Sequence, residues 1–183
     1  MGKIVIVSGS PAKFSRSAVI ANIVGELLAE NNQVEHIKVS ELPPEALVFA
    51  RWDHQAISST IRLIESADAV VFISPVYKAS YTGLLKTFID LLPEKSLADK
   101  IILPILNGGT VAHLLSLEYA FKPLFSVLGA TDIVDGVYAV DSQIQYKETE
   151  LTFIEDGLEQ RLKANVNELL IRLNKNKKPV VKG

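Results

Sequence analysis

The sequence predicts a doubly wound α/β fold built on a five-stranded parallel sheet. Strand-like and helix-like patterns alternate along almost all of the 183 residues, which is the signature of parallel strands joined by right-handed crossovers. Several strand candidates, KIVIV and AVVFI among them, are continuously apolar and β-branched rather than alternating, as expected of strands covered on both faces. The first of them breaks directly into a Ser/Gly/Pro loop that opens a helix.

The first strand begins at Lys3 and gives way to the loop Ser8–Ser17. In the helix that follows, Ile20, Ile23, Val24, Leu27 and Leu28 recur at helical spacing and form one apolar face. Asn31-Asn32 ends it, and Val34–Val39 reads as the second strand. The stretch ELPPEALVFARWDH reads as irregular, because Pro43-Pro44 fits neither a helix interior nor a central strand. Trp52, the only tryptophan, lies in it and could cap the core, fill a dimer contact or border a cleft. A second helix carries Ile57, Ile61 and Ile64 and closes near Ser66. The third strand is Ala69–Ile73, the loop after it Ser74–Gly83. A third helix carries Leu84, Leu85, Phe88, Ile89 and Leu92 up to Pro93. Ile101–Leu106 is the fourth strand, in which Pro104 predicts a local break in the ladder. After the loop Asn107–Thr110, a fourth helix is expected from about Val111 to Leu128, a fifth strand over Asp132–Val140, and a last helix from about Phe153 to Leu173. Residues 1–174 read as one domain and 175–183 as a basic, solvated, disordered tail. With a phosphate-type loop first, five such strands suit the flavodoxin-like order 2-1-3-4-5.

Composition excludes several classes. Net charge is −2, so no basic field draws nucleic acid. There is no cysteine, so thiol redox chemistry and cysteine metal sites are ruled out, and His36, His54 and His113 have no metal-ligand spacing. No apolar run approaches the ~20 residues of a membrane span. No signal-peptide pattern opens the chain, and a cytoplasmic protein is expected.

In such a sheet, ligands bind beyond the carboxyl ends of the strands, where the strand order reverses. Three loops converge there. The first offers Ser8, Ser10 and Ser15, then Arg16 and Ser17 at a helix start, where unpartnered N–H groups attract a phosphate. It matches neither GxGxxG nor GxxxxGK[ST], which points to a mononucleotide such as FMN. The second supplies Pro75 and Val76 to border a flat ring, with Tyr77 and Tyr81 either stacking on it or covering a helix start, and Lys78 either near the ligand or solvated. In the third, Gly108-Gly109 allows close backbone approach or merely turns the chain. His113 serves either the site or a structural hydrogen bond. In the fourth helix, Pro123 clashes with the carbonyl of Tyr119, so the helix either kinks simply or bulges into a π-turn there.

GSPxxxSRS, SPVYKASYTGLLKTFIDLLP and NGGTVAHLLSLEYAFKPL together resemble the NADPH-dependent FMN reductases, in particular the reductase components of bacterial two-component alkanesulfonate monooxygenases. The resemblance spans roughly residues 1–145. It implies a flavodoxin-like fold that takes FMN as a substrate or loosely bound cofactor, reduces it with NADPH, and passes reduced FMN to a partner monooxygenase for desulfonation and sulfur acquisition. By the family pattern Ser8, Ser10, Ser15, Arg16 and Ser17 hold the FMN phosphate. Pro75, Val76, Tyr77 and Lys78 line the isoalloxazine with Tyr81 nearby, and Gly108, Gly109, Thr110 and His113 close the other side. Tyr119 matches the inserted tyrosine of the family's π-helix, placed at a tetramer interface, so a dimer or tetramer is implied. One departure is Ala12, where the family often has arginine; Lys13 or Arg16 stands in. Hydride transfer between two cofactors demands no general base, and no residue is given a catalytic role beyond Tyr119 as the π-helix candidate. The alternatives are a flavodoxin-type electron carrier and an FMN-containing quinone or azo reductase.

Overall fold

Strands β1 (Lys3–Ser8), β2 (Gln33–Lys38), β3 (Ala69–Pro75) and β4 (Ile101–Gly108) form the parallel body of the sheet in the order β2-β1-β3-β4. The fifth position, beside β4, is shared by two short strands, β5 (Asp132–Ile133) and β6 (Val137–Val140). The strand order 2-1-3-4-5 and the flanking helices make this a flavodoxin-like fold. The computed structural model describes residues 1–147, 150–154 and 156–176.

Every residue of β3 and β4 is buried, because both sheet faces are covered. On one face α1 (Arg16–Ala29) and α6 (Asp156–Asn176) pack Ile20, Val24, Leu28, Leu162, Val166 and Leu169 onto Ile4, Ile6, Val71 and Ile105. On the other, α3 (Gln55–Glu65), α4 (Gly83–Ile89) and α5 (Lys122–Val127) pack Ile57, Leu85, Phe88 and Phe125 onto Val5, Val7, Phe72 and Ile102. The alternation of adjacent strand residues between these two cores is the period-2 geometry of the strand.

Pro104 breaks the ladder as its chemistry requires. Ile102 turns its carbonyl to the Val134 N–H (2.8 Å), so two residues on, Pro104 turns its nitrogen the same way and has no hydrogen to give. The register records the result: Ile102 pairs with Ile133 but Ile105 with Val137, one extra residue on the fifth strand. Gly136, at φ +94°, occupies that bulge.

The structure departs from the sequence reading in other places. The Pro43-Pro44 segment is not wholly irregular: Pro44 opens a short helix, α2 (Pro44–Val48), at a first-turn position whose N–H is not needed. The second strand ends at Lys38, and Val39 already belongs to a 3₁₀ turn. The third helix stops at Ile89 rather than near Pro93. The expected fourth helix is three pieces: a 3₁₀ turn (Val111–His113), a π-helix (Leu117–Phe121) and α5. The Lys122 N–H reaches back five residues to the Leu117 carbonyl, a π-type bond, so the accommodation of Pro123 is a bulge around Tyr119 and not a simple kink. Before the last helix lies an unpredicted antiparallel hairpin, β7 (Ile144–Lys147) and β8 (Glu150–Phe153), so α6 starts at Asp156 instead of Phe153. Helix α6 also takes in Lys175 and Asn176 of the expected tail; residues 177–183 lie outside the described residues.

Candidate active site

The carboxyl ends of β1, β3 and β4 bring the three predicted loops to one edge of the sheet. Their backbones are tied together: the Gly9 N–H donates to the Ile73 carbonyl (2.8 Å), and the Val76 N–H to the Asn107 carbonyl (2.7 Å).

In the first loop Ser8 and Ser10 are buried. The Ser10 hydroxyl lies 2.9 Å from that of Ser15 and reaches the Ala12 carbonyl (3.2 Å). Ser15 caps α1, accepting the Ala18 N–H (3.1 Å). Arg16 opens the 14-residue helix, whose first turn holds no acidic residue, so side-chain charge and helix dipole are both positive there. Ser17 is fully buried and donates to the side-chain oxygen of Asn107 at the end of β4, away from the loop. Lys13, in the neighbourhood of the arginine-for-Ala12 departure, lies over the Phe14 ring.

The second loop is held in a strained form. Tyr77 and Ser80 exchange both backbone hydrogen bonds (2.8 and 3.2 Å) around Lys78 and Ala79, which are left-handed at φ 51° and 65°. This is a type I′ geometry that usually selects Gly or Asn. Pro75 is the buried end of β3, Val76 is half-buried, and Tyr77 and Lys78 project into solvent. Tyr81 turns inward and stacks on Phe121 of the π-helix, with centroids 5.2 Å apart and planes 9° apart. Phe121 in turn meets Phe125, and Phe125 meets Phe72, so an aromatic row joins this loop through the π-helix to the centre of the sheet.

In the third loop Gly108 is buried and Gly109 exposed. A Cβ on Gly108 would lie 2.6 Å from the Tyr138 hydroxyl, whereas one on Gly109 would meet nothing within 4 Å. Tyr138 donates its hydroxyl hydrogen to the Thr110 carbonyl (2.8 Å), which fixes the loop. Its burial, reinforced by the negative charge of Asp141, raises its pKa above the usual tyrosine range. The Thr110 hydroxyl accepts the Ala112 N–H, and His113 is half-buried in the 3₁₀ turn. Tyr119 is not in this cluster: it is 79% exposed on the π-helix.

Residues the sequence reading passed over carry the framework. Thr82, 2% exposed, donates to the Gly9 carbonyl (2.6 Å) and caps α4 through the Leu85 N–H (3.1 Å), which joins the first loop to the second. Ser74 accepts the Thr82 N–H. Asn107 donates to Asp141 (3.3 Å), and Asp141 also faces Arg16 (3.8 Å). Thr82 was findable as a cap before an apolar helical run. Asn107 and Asp141 act through contacts about 90 and 125 residues apart in sequence, which no local pattern exposes.

A cavity of about 200 Å³ opens on the far side of the first loop, between α1 and the end of β2, lined by Ser10, Lys13, Ser15, His36 and Lys38. None of its lining comes from the second or third loop, where Tyr77, Lys78 and Gly109 are exposed. No group of metal-ligating side chains occurs among the described residues, and no helix there is long and apolar enough to cross a membrane.

A small-residue hydroxyl loop at a helix N-terminus, beside an open glycine shelf, fits a mononucleotide bearing a planar ring. The family model for NADPH-dependent FMN reductases matches residues 2–145, which contain all three loops. The chain belongs to this family. It is similar to an FMN reductase (NADPH) of Pseudomonas putida, 38% identical over 98% of this chain and 92% of the relative. It is similar also to an FMN reductase (NADPH) of Escherichia coli, 42% identical over 78% of this chain and 75% of the relative. The apo crystal structure of an NADH:FMN oxidoreductase (EmoB) superposes with a TM-score of 0.86 at 31% identity, over 98% of this chain and 92% of that one. As a member of the FMN reductase family the chain is an oxidoreductase that handles FMN and NADPH.

Proposed function

We propose that this protein takes FMN from solution, reduces it with NADPH and releases reduced FMN to an FMNH₂-dependent monooxygenase of the alkanesulfonate-desulfonating kind. The observation that carries it is the pairing, at one sheet edge, of a positively poised hydroxyl loop that suits a phosphate with the exposed Tyr77, Lys78 and Gly109 that suit a flat ring. Ser8, Ser10, Ser15 and Arg16 would hold the phosphate, with the Ser10–Ser15 hydroxyl contact opening to admit it, while Ser17, predicted to join them, is buried on Asn107 and would brace the start of α1 from beneath. Pro75, Val76, Tyr77 and Lys78, with Tyr81 behind them, would border the isoalloxazine, and Gly108, Gly109, Thr110 and His113 its other side.

When both nucleotides are bound, hydride passes from nicotinamide to flavin, chemistry that belongs to the two cofactors. The chain's contribution is orientation. The Lys78–Ala79 turn is set before the ligand arrives, and Thr110 is held by Tyr138, so neither loop need be ordered on binding. The exposed apolar side chains Val111, Leu115, Tyr119 and Val127 support an oligomer formed through the π-helix surface. The partner assignment is tested by coupling the protein, NADPH and catalytic FMN to a purified alkanesulfonate monooxygenase and measuring sulfite. Sulfite release that depends on this protein supports the reading. NADPH oxidation without sulfite, together with rapid quinone or azo-dye reduction, would transfer the protein to the quinone and azo reductases.

A further inference from the structure

A carboxylate stands where an anion cradle should have none. Asp141 begins the 3₁₀ turn Asp141–Gln143 after β6, and its Oδ2 lies 3.8 Å from the Arg16 guanidinium. Its Oδ1 accepts a hydrogen bond from Asn107 Nδ2 (3.3 Å), and the other end of that amide accepts from Ser17. One acidic group therefore engages Arg16 directly, and Ser17 through Asn107, the two residues that open α1. Both partners of the ion pair are about one-third exposed (36% and 34%), so the contact itself contributes little and opens easily.

We infer that Asp141 competes with the flavin phosphate for Arg16 and so sets FMN affinity low enough for exchange. The inference rests on the reading of Ser8–Ser17 as the phosphate cradle. An arriving dianion must share or displace the carboxylate, and it remains within a few ångströms of that like charge while bound. The phosphate is remote from the redox-active ring, so the loosened grip acts equally on FMN and on reduced FMN. Uptake and delivery are then eased by one device. A carboxylate that merely propped Arg16 in position would have the opposite effect, since its loss would weaken binding.

The test compares FMN with riboflavin, which has the same ring and no phosphate. Dissociation constants are measured by flavin fluorescence quenching for the wild type, Asp141→Asn and Asp141→Glu. Asparagine can still accept from Asn107, which protects the fold. Asp141→Asn is expected to tighten FMN on the order of tenfold at low salt, with the gain shrinking as salt rises. Riboflavin affinity should change by less than about twofold, and Asp141→Glu should keep the wild-type FMN to riboflavin ratio. FMN binding that is unchanged or weakened in Asp141→Asn, in a wild type that prefers FMN to riboflavin, overturns this inference and leaves the cradle intact. A wild type that binds FMN and riboflavin equally overturns the cradle reading itself, and this inference with it.

Discussion

Thr82→Val removes one hydroxyl from a buried junction and leaves its shape nearly unchanged. That hydroxyl donates to the Gly9 carbonyl at 2.6 Å and accepts the Leu85 N–H at 3.1 Å, with Thr82 only 2% exposed. Losing the helix cap costs about 1 kcal/mol. Leaving the buried Gly9 carbonyl without its donor adds about 1–3 kcal/mol. The sum, about 2–4 kcal/mol, is a large share of the ~5–15 kcal/mol that holds a domain folded. Because the same hydroxyl joins the first loop to the second, FMN affinity should fall with stability. Urea denaturation followed by circular dichroism gives the first quantity and flavin quenching the second. Thr82→Ser keeps both hydrogen bonds and should lose only about 1 kcal/mol for the missing methyl. A Thr82→Val protein within about 0.5 kcal/mol of wild type, binding FMN normally, would refute the idea that this junction registers the two loops.

Gly136→Ala places a Cβ 2.7 Å from the Pro104 carbonyl at φ +94°, so it should cost at least about 2 kcal/mol in urea denaturation; a neutral result would mean the bulge relaxes freely. The His36 pKa is lowered by burial and then by Lys38, with Glu35 opposing. A lowered folded-state pKa contributes stability above the ordinary value of 6.5 that is lost as pH falls through the folded value. His36→Gln should therefore flatten the stability loss as pH falls below 6.5, and a parallel pH profile would contradict it. Tyr119→Ala, at a side chain 79% exposed, should change the protomer's unfolding by under about 0.5 kcal/mol yet shift the light-scattering mass downward; an unchanged mass would remove Tyr119 from any interface.

The parts of this molecule written in local pattern are legible in the sequence. The apolar runs of β3 and β4, the spacing of Ile20 to Leu28 on α1 and the absent proton on Pro104 each dictate their outcome within a few residues. The three loops met at one edge because strand order fixes which carboxyl ends are neighbours. What escaped depends on partners distant in sequence or on weak signals. The β7–β8 hairpin has four-residue strands and no Gly or Asn-Gly pair between them to mark it, so the stretch between the fifth strand and the last helix carries no readable element. The fourth helix looked continuous because apolar periodicity does not separate 3₁₀, π and α turns. Asn107 and Asp141 are unremarkable in sequence and acquire a role only when β4 and β6 set them beside α1.

NADPH oxidation by flavin-free protein, measured across a range of added FMN, tests the central claim most directly. A rate that is near zero without FMN and saturates as FMN is added is the result expected of the proposed reductase, in which the flavin is a substrate that comes and goes. A protein that retains yellow flavin through purification and oxidises NADPH at a rate indifferent to added FMN would contradict that claim.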